Sequence, residues 1–469
     1  MKPFRVLVVD DSPFMRKIFS DLIERDHQFQ VVGTASNGKE AVEKVKELSP
    51  DVITMDVEMP EMNGLDALKS IMETENQTVI MLSGVNEQGM RETILALEFG
   101  AFDFLRKPSI LNAQDIEQVG RELLCQLEAA MQAKERRALW EEEEQKRQEK
   151  SKASRLSPRP SDRSSSLRVD EPLKTPIQRS VRKDVPTIRH IHKKNVEQPS
   201  PKPLIPDRLL GDENHKDNQM IRGTEPILKE REVWAQVINS SKSDILSPNK
   251  MVSPDRKESL EVKREIVQDR IMQRNFTQIV AVGCSTGGPR ALKVLLEQMP
   301  ANFPAPIVIV QHMPPNFTKS LAQRLDSFSD LDVMEAQDGM FLRAGAAYIA
   351  PGGNHMTMYS SGNGQYQISI RKGDPCNGHR PSVDVLFESL LPLTNLKRHI
   401  VLMTGMGSDG ARMMKELYDS GVTSTFAESE QTCVVYGMPR SAVELGCVSN
   451  ILPLQNIAGE LVQAVNLGK

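Results

Sequence analysis

Short runs of apolar, mostly β-branched residues alternate with amphipathic helical patterns along residues 1–127. The runs predict five strands, at Phe4–Val9, Phe29–Ala35, Asp51–Met55, Thr78–Leu82 and Phe102–Leu105. Apolar residues at helical spacing predict helices at Phe14–Arg25, Lys39–Leu48, Leu65–Met72 and Gln88–Phe99, with a fifth beginning near Asn112. Because strand and helix alternate strictly, we expect a parallel, doubly wound sheet covered on both faces.

The same alternation returns in residues 275–469. Strands are predicted at Gln278–Val282, Pro306–Gln311, Ala346–Ile349, Ile400–Thr404 and Ser424–Ala427. Helices are predicted at Pro289–Met299, Thr318–Phe328, Val383–Leu391 and Ala411–Ser420. An antiparallel pair, Met356–Tyr359 and Gln365–Ile370, is expected around a Ser-Gly-Asn-Gly turn. The fold class is therefore α/β, with a second, Rossmann-like sheet in this domain.

The pattern is lost in residues 128–274. Glu128–Lys150 alternates charges and is predicted to be a solvated extension of the fifth helix. Residues 151–207 hold nine prolines among many Ser, Arg and Lys. Such a segment cannot bury enough apolar surface to offset its ordering entropy. We therefore predict a domain at 1–127, a largely disordered linker at 128–274 and a second domain at 275–469.

Composition excludes several classes of protein. The net charge of −4 gives no reason to expect a nucleic-acid or membrane partner. The apolar run near the start of the chain is too short for a signal peptide, and no apolar run approaches the length of a membrane span. The five cysteines form no CxxC pair and suggest free thiols in a reducing compartment. These features predict a soluble, cytoplasmic protein.

Polar residues follow four of the strands predicted in the first domain. Asp10 and Asp11 follow the first strand, Asp56 the third, Ser83 the fourth and Lys107 the fifth, and such ends meet at one sheet edge. Converging carboxylates need a cation, and oxygen ligands suit Mg²⁺. We expect Asp56 to be a phosphoryl acceptor, Asp10 and Asp11 to hold the metal, and Ser83 and Lys107 to bind phosphoryl oxygens. Any one aspartate alone could equally be a helix N-cap.

The segments VLVVDDS, DVITMDVEMPEMNG, MLSG and FDFLRKP resemble the receiver domains of two-component response regulators. The resemblance covers the whole first domain and implies a flavodoxin-like fold. It also implies that a histidine kinase phosphorylates Asp56, that the backbone carbonyl of Glu58 is a further Mg²⁺ ligand, and that Phe104 is the aromatic switch residue.

The segment QIVAVGCSTGGPRALKVLLEQM predicts a strand, a glycine-rich turn and a helix. Gly283–Gly287 matches G-x-S-x-G, a turn that exposes a nucleophilic serine, here Ser285, at a helix N-terminus. Unpaired N–H groups there could stabilise an oxyanion. Two other interpretations remain open from these residues alone: a phosphate cradle, although no G-x-G-x-x-G or G-K-[ST] follows, and a purely structural turn.

A nucleophilic serine needs a base, usually a histidine. The candidates in or near this domain are His312, His355, His379, His399 and, in the linker, His215. His312 ends the strand that follows the serine turn, so it lies at the same predicted sheet edge. His355 and His379 follow glycine-containing loops and could also line a cleft, whereas His399 begins a strand at the opposite end and is predicted to be structural.

The candidate carboxylate is Asp409, which follows the strand HIVLMT and could also cap the next helix. Ser285, His312 and Asp409 would then lie at the carboxyl ends of three strands of one sheet. Their order along the chain differs from the Ser, Asp, His order of α/β-hydrolases.

The segments GCSTGGP, QHMPPNFTKSLAQRL, APGGNHM, HRPSVDVLFESL, TGMGSDGA and SEQTCVVYGMPRSA resemble the chemotaxis protein-glutamate methylesterases (CheB) throughout the last domain. The resemblance implies that Ser285 is the nucleophile, His312 the general acid and base, and Asp409 the residue that orients the histidine. It further implies an oxyanion hole made by the backbone N–H groups of Thr286 and Met406. The family usually has Asn or Asp where Ser408 stands, which leaves Asp409 in place.

The implied reaction is hydrolysis of glutamyl methyl esters on chemoreceptors, with deamidation of receptor glutamines as a second activity. The implied partners are these receptors and a histidine kinase, and the implied cofactor is Mg²⁺ in the receiver, with none for the esterase. The unphosphorylated receiver is expected to inhibit the esterase, although roughly 145 residues separate the domains instead of the family's short connection. Three other interpretations compete with this one. A DNA-binding regulator would need a helix-turn-helix, and the last domain shows none. The other two are a non-catalytic binding module and a general carboxylesterase.

Overall fold

The computed structural model describes residues 2–74, 77–84, 86–109, 112–156 and 276–467. Most of the predicted linker, from 157 to 274 and with it His215, lies outside the described residues. Both predicted α/β domains are present, which confirms the predicted fold class.

The first domain is a five-stranded parallel sheet in the order β2-β1-β3-β4-β5, as in flavodoxin-like folds. Its elements are β1 (Phe4–Val9), α1 (Pro13–Ile23), β2 (Phe29–Ala35), α2 (Gly38–Leu48), β3 (Val52–Asp56), α3 (Gly64–Thr74), β4 (Thr78–Ser83), α4 (Glu87–Glu98), β5 (Asp103–Arg106) and α5 (Ala113–Leu156). Every residue of β3 is buried, as expected for a central strand covered by helices on both faces. All five predicted strands and helices are confirmed within a few residues.

Polar side chains begin the helices that follow the strand ends. Asn37 accepts a hydrogen bond from the N–H of Glu40 at 2.9 Å, and Asn86 accepts one from Gly89 at 2.6 Å. Ser12 caps α1, where Pro13 needs no backbone partner. These caps fix where each helix starts and so leave the carboxyl edge of the sheet open for a site.

The second domain contains a seven-stranded parallel sheet in the order β14-β13-β12-β6-β7-β9-β8. Its elements are β6 (Gln278–Cys284), α6 (Gly288–Leu296), β7 (Ile307–Gln311), α7 (Phe317–Asp326), β8 (Asp332–Glu335), β9 (Ala346–Ile349), β10 (His355–Gly362), β11 (Gln365–Arg371), α8 (Val383–Glu388), β12 (Lys397–Leu402), α9 (Ala411–Asp419), β13 (Ser424–Glu428), α10 (Met438–Glu444), β14 (Asn450–Leu452) and α11 (Leu454–Leu467). The predicted antiparallel pair is β10 and β11. Strand β6 lies between β7 and β12, where the strand order changes direction, and ligands of doubly wound sheets bind at such a point.

Helix α5 continues as a single helix through the charged segment that follows residue 127. This extension is not solvated throughout, because Ala129, Ala130 and Met131 are buried. Farther along, the Arg136 guanidinium donates to the backbone carbonyl of Val434 at 3.2 Å. The extension therefore packs against the second domain.

His399 joins three strands at the amino edge of the second sheet. Its Nε2 contacts Gln278 Oε1 at 3.0 Å and its Nδ1 contacts Ser424 Oγ at 2.8 Å. Burial, with a smaller effect of Lys397, lowers the pKa of His399 to about 4. The structural role predicted for His399 agrees with this placement, and the ring is neutral at pH 7.

We expect His399 to make the folded state sensitive to acid. Its folded pKa lies below the ordinary value of 6.5. Its stabilising contribution is therefore complete above pH 6.5 and is lost as pH falls towards 4, because only the unfolded chain takes up the proton. The loss between pH 7 and pH 5 should be about 2 kcal/mol. Denaturant unfolding at both pH values should show a smaller decrease in His399→Gln than in the natural chain, and equal decreases would contradict this account.

Candidate active site and phosphorylation site

Three carboxylates meet at the carboxyl edge of the first sheet. Asp10, Asp11 and Asp56 each place an oxygen within 4.8 Å of the others. Lys107 bridges two of them, with Nζ 2.8 Å from Asp10 Oδ2 and 2.7 Å from Asp56 Oδ2. The structure thus brings together four of the seven residues predicted for this site in one charged cluster.

Burial dominates the electrostatics of this cluster. It raises the pKa of Asp56 to about 6; Lys107 opposes the rise and the Asp10 charge adds to it. The ionised form of a buried carboxylate is stabilised by added positive charge. The all-oxygen donor set and this excess of buried negative charge fit Mg²⁺, so the residues present suit the predicted metal.

The other residues predicted for the first site are Ser83, Glu58 and Phe104. Ser83 is buried at the end of β4, and its hydroxyl accepts a hydrogen bond from Thr93 at 2.7 Å. The N–H of Glu58 donates to Asp56 Oδ1 at 3.3 Å, whereas the Glu58 carbonyl as a metal ligand stays a prediction. Phe104 is buried in β5.

The serine turn joins β6 to α6 at the centre of the second sheet. The N–H of Ser285 donates to the carbonyl of Thr404 at 3.0 Å, which ties the turn to the loop after β12. Gly287 has φ of 78°, a left-handed conformation that favours glycine. A Cβ on Gly405 would lie 2.8 Å from Ser285 Cβ, so only glycine fits there. The half-buried Ser285 is therefore held by backbone on both sides.

His312 and Asp409 form a hydrogen-bonded pair beside this turn. His312 Nε2 lies 2.8 Å from Asp409 Oδ2, and both side chains are almost fully buried. His312 Nδ1 is also buried and has no hydrogen-bond partner among the described residues. The N–H of His312 donates to the carbonyl of Cys284, the residue before Ser285, at 3.2 Å. Nδ1 is thus the ring nitrogen left for a serine hydroxyl.

Both oxygens of the Asp409 carboxylate accept several hydrogen bonds. Besides His312, the donors are the Asn377 amide, the Ser382 hydroxyl and the backbone N–H groups of Val383 and Asp384. Burial alone would raise the pKa of Asp409, but His312 and the surrounding donors outweigh it and hold the pKa well below its usual range. The group is therefore an anion at neutral pH.

The other two candidate histidines near the sheet edge, His355 and His379, have different surroundings in the structure. Both ring nitrogens of His355 are engaged by backbone, at 2.9 Å from the Asp374 carbonyl and 3.3 Å from the Ser382 N–H. His379 lies in the site, with its ring stacked on His312 at a centroid distance of 3.7 Å. Burial first, and then the charge of His312, lower the pKa of His379 to about 4, so it is neutral at pH 7.

Several backbone N–H groups in the two loops beside Ser285 make no hydrogen bond within the described residues. Among them are those of Thr286, in the turn before α6, and of Met406, in the loop after β12. These are the two groups predicted to form the oxyanion hole. The neighbouring Gly405 is held by a hydrogen bond from its N–H to the Val435 carbonyl at 3.0 Å.

Receiver residues contact the second domain directly over the serine turn. The Thr286 hydroxyl donates to Asp103 at the start of β5, and burial raises the pKa of Asp103 to about 6. The ring of Phe104 stacks on Phe317 at 4.6 Å.

A second contact lies between α4 and α7. The Arg324 guanidinium makes two hydrogen bonds to Glu98, at 2.7 and 2.9 Å.

Asn377 and Asp103 were not identified from the sequence. The Asn377-Gly378 pair is a turn signal that could have located the loop, but nothing local shows that its amide reaches Asp409. Asp103 carries no signal, because its partner belongs to the other domain.

None of the helices in the described ranges is long and apolar enough to cross a membrane.

Both domains of the chain are similar to known proteins. The family model described as CheB methylesterase matches residues 280–461, and the response regulator receiver domain model matches residues 6–119. The protein-glutamate methylesterase/protein-glutamine glutaminase of Geobacillus kaustophilus (strain HTA426) is 35% identical over 99% of this chain and 99% of its own. The protein of the same name from Bacillus subtilis (strain 168) is 35% identical over 98% of each chain.

The crystal structure of the Thermotoga maritima CheB methylesterase catalytic domain is 43% identical, covers 40% of this chain and 99% of its own, and has a TM-score of 0.39. From its likeness to the two full-length relatives, the chain belongs to the CheB family of protein-glutamate methylesterases/protein-glutamine glutaminases that carry a response-regulator receiver domain.

Proposed function

We propose that this chain hydrolyses glutamyl methyl esters on chemoreceptors to glutamate and methanol by a Ser-His-Asp mechanism, and that phosphorylation of its receiver controls the reaction. The observation that carries the proposal is the buried His312–Asp409 pair: His312 Nδ1 has no hydrogen-bond partner among the described residues, and the N–H of His312 donates to the carbonyl of Cys284, the residue before Ser285. This arrangement supplies a nucleophile, a base and an orienting carboxylate at one sheet edge.

The reaction begins when Ser285 Oγ attacks the ester carbonyl carbon and His312 Nδ1 takes the hydroxyl proton. The negative charge that develops on the carbonyl oxygen is stabilised by the N–H groups of Thr286 and Met406. The tetrahedral intermediate collapses, the C–O bond to the methoxy group breaks, and His312 returns the proton to give methanol. Water then attacks the acyl-enzyme with His312 again as base, and glutamate leaves as Ser285 recovers its proton.

Asp409 remains ionised throughout the cycle. Its low pKa keeps the proton on His312, so the carboxylate stabilises the imidazolium that forms in each transition state. We expect no cofactor for the esterase, because the three side chains supply both the nucleophile and the proton transfer.

Deamidation of receptor glutamines would use the same groups. The amide carbonyl presents the same electrophile, and ammonia leaves in place of methanol. The names of the relatives include protein-glutamine glutaminase, which supports this second activity. Because an amide has the poorer leaving group, we expect it to react more slowly than the ester.

In the receiver, we propose that Asp56 accepts a phosphoryl group from a histidine kinase. Asp10, Asp11 and the Glu58 carbonyl would hold Mg²⁺ together with Asp56; the ion supplies positive charge to the transferring phosphoryl oxygens. Ser83 and Lys107 would bind the same oxygens, with Phe104 as the switch residue. The salt bridges of Lys107 to Asp10 and Asp56 support this assignment.

We propose that the unphosphorylated receiver restrains the esterase through its contacts with the catalytic domain. Asp103 holds the hydroxyl of Thr286, the residue next to the nucleophile, and Phe104 packs on Phe317. Both receiver residues lie on β5, which ends directly before Lys107. A change at the phosphorylation site therefore has a direct route to the serine turn.

The domain limits of 1–127 and 275–469, and the cytoplasmic location, remain our predictions from the sequence. The partners we propose are methyl-accepting chemoreceptors as substrate and the kinase as phosphodonor, without nucleic acid or membrane insertion.

The test is methanol release from methylated chemoreceptor. We expect slow release from the unphosphorylated chain, faster release with a small phosphodonor plus Mg²⁺, and none above background from Ser285→Ala. Asp56→Asn, which keeps the shape of the side chain, should remove the response to phosphodonor and leave the slow release. Release that ignores the phosphodonor would contradict the regulation, and equal release from Ser285→Ala would contradict the mechanism.

A further inference from the structure

A turn formed by residues 376–379 contacts both members of the His312–Asp409 pair. Cys376 and His379 exchange two backbone hydrogen bonds, at 3.0 and 2.9 Å, around Asn377 and Gly378. Both central residues have positive φ, 53° and 80°, as the Asn-Gly turns of β-hairpins do. The turn projects two polar side chains, Asn377 and His379, towards the site.

The Asn377 amide joins two buried carboxylates. Its Nδ2 donates to Asp409 Oδ1 at 2.7 Å and to Asp384 Oδ2 at 2.9 Å. Asp384 in turn accepts the N–H groups of Gly410 and Met413 at 3.1 Å each. One amide therefore fixes Asp409 relative to the start of α9.

His379 acts on the other member of the pair. Its ring lies over His312 with an interplanar angle of 8° and a centroid distance of 3.7 Å. His312 must keep Nε2 on Asp409 and Nδ1 free for the serine, and a parallel ring against its face limits rotation out of that plane. Because His379 is neutral at pH 7, the stack adds no charge that would oppose the imidazolium.

We propose that the Asn377–His379 turn is a positioning element of the active site: Asn377 orients the Asp409 carboxylate, and His379 holds the plane of the His312 ring. The proposal rests on the function proposed above and deepens it. Neither residue touches the substrate carbonyl or exchanges a proton with it. Their contribution is to keep the acid–base pair in the geometry that the transition state needs, because small displacements from that geometry lower the rate strongly.

The chain offers a matched control for Asn377. Asn363 and Gly364 form the turn between β10 and β11, with φ of 53° and 72°, and Asn363 is exposed. Replacing either asparagine by glycine relieves the left-handed backbone equally and removes one amide. Asn363→Gly and Asn377→Gly therefore differ in the contacts of the lost amide and in little else.

The first experiment compares these two variants of the full-length chain, phosphorylated, in methanol release from methylated receptor. We expect Asn377→Gly to lower kcat about 10–100-fold with little change in KM, and Asn363→Gly to resemble the natural chain. Asn377→Asp should be worse than Asn377→Gly, because it places a third carboxylate against Asp409 and Asp384.

The second experiment separates stacking from the chemistry of an imidazole. His379→Phe keeps a flat ring over His312, whereas His379→Ala removes it. We expect the alanine variant to lose about tenfold or more in kcat and the phenylalanine variant to recover most of that loss, with KM nearly constant.

The outcomes distinguish the two levels of the proposal. Equal kcat in Asn377→Gly and Asn363→Gly, with Ser285→Ala inactive, would overturn the positioning role and leave the esterase mechanism standing. Equal loss in His379→Ala and His379→Phe would overturn the stacking role. Failure of the natural chain to release methanol would instead reject the proposed function. Circular dichroism and thermal unfolding of each variant should match Asn363→Gly, so that loss of the fold is recognised.

Discussion

Asp409→Asn is expected to reduce methanol release about 10⁴-fold at pH 7. The natural carboxylate accepts hydrogen bonds from His312, Asn377, Ser382 and the backbone of the α8 start, and all of these groups donate. The Asn377 amide N–H and the backbone N–H groups of Val383 and Asp384 can only donate, and His312 can accept from an introduced NH₂ only as the other tautomer. Whichever way the introduced amide is oriented, a donor faces a donor, and the tautomer of His312 that leaves Nδ1 free for Ser285 is no longer favoured.

Asp384→Asn is the matched control for this change. Asp384 is as deeply buried as Asp409 and also accepts several N–H groups, but it does not touch His312. Both variants should lose stability, by about 1–3 kcal/mol for each unsatisfied buried donor. Because Asp384 shares the Asn377 amide with Asp409, Asp384→Asn should lose activity about as much as Asn377→Gly, whereas Asp409→Asn should lose almost all of it when both are assayed well below their melting temperatures. Comparable activity in the two variants would show that Asp409 serves the fold alone.

Reversal of the charge at Arg324 is expected to activate the unphosphorylated enzyme. Arg324→Glu replaces a pair of hydrogen bonds to Glu98 with repulsion between two carboxylates at the contact of α4 and α7. If this contact helps to hold the receiver over the serine turn, basal methanol release should rise towards the phosphorylated rate. Coupling between two sites commonly changes the affinity at one of them by about 5–150-fold, and we expect the rise in basal methanol release to lie in the same range.

The double variant with Glu98→Arg and Arg324→Glu restores opposite charges in exchanged positions. We expect it to lower basal release again and to recover a response to phosphodonor. The measurement is the ratio of rates with and without phosphodonor plus Mg²⁺ for each variant. An unchanged ratio in Arg324→Glu would mean that this ion pair is not part of the restraint, and activation that persists in the double variant would point to a loss of packing instead of charge.

Residues at strand ends could be predicted because local patterning shows where each strand stops. Ser285, His312 and Asp409 each follow closely on an apolar run, and parallel pairing places all such ends at one edge. The sequence could not decide among the histidines near this edge. His355 and His379 both follow glycine-containing loops, and only the folded chain shows that backbone engages one and that the other stacks on His312.

The short strands β8 and β14 were not predicted from the sequence, and helix α11 was also missed although its helical pattern was visible. β8 (DVME) carries a charged residue at each end and β14 (NIL) has only three residues, so neither forms a visible apolar run. α11 was not predicted, although Ile457, Leu461 and Val465 recur at helical spacing and are all buried. That pattern was available in the sequence.

Contacts between the two domains could not be predicted from any local pattern. Arg324 and Glu98 are 226 positions apart, and Thr286 and Asp103 are 183 apart. Each is an ordinary polar residue of its own domain. Its partner is determined by how two separately folded sheets meet, which no window of sequence contains.

Strand β5 and the lysine after it contact both the catalytic domain and the predicted phosphorylation site. Its first two residues reach the catalytic domain through the Asp103 carboxylate and the Phe104 ring, while Lys107, directly after the strand, bridges Asp10 and Asp56. Under the proposed regulation such a restraint acts in both directions, because a coupling free energy is the same whichever site is occupied first. A receptor that holds the catalytic cleft open also frees the receiver and so favours phosphorylated Asp56. The enzyme would then stay active longest where methylated receptor is most abundant, with no change in the kinase.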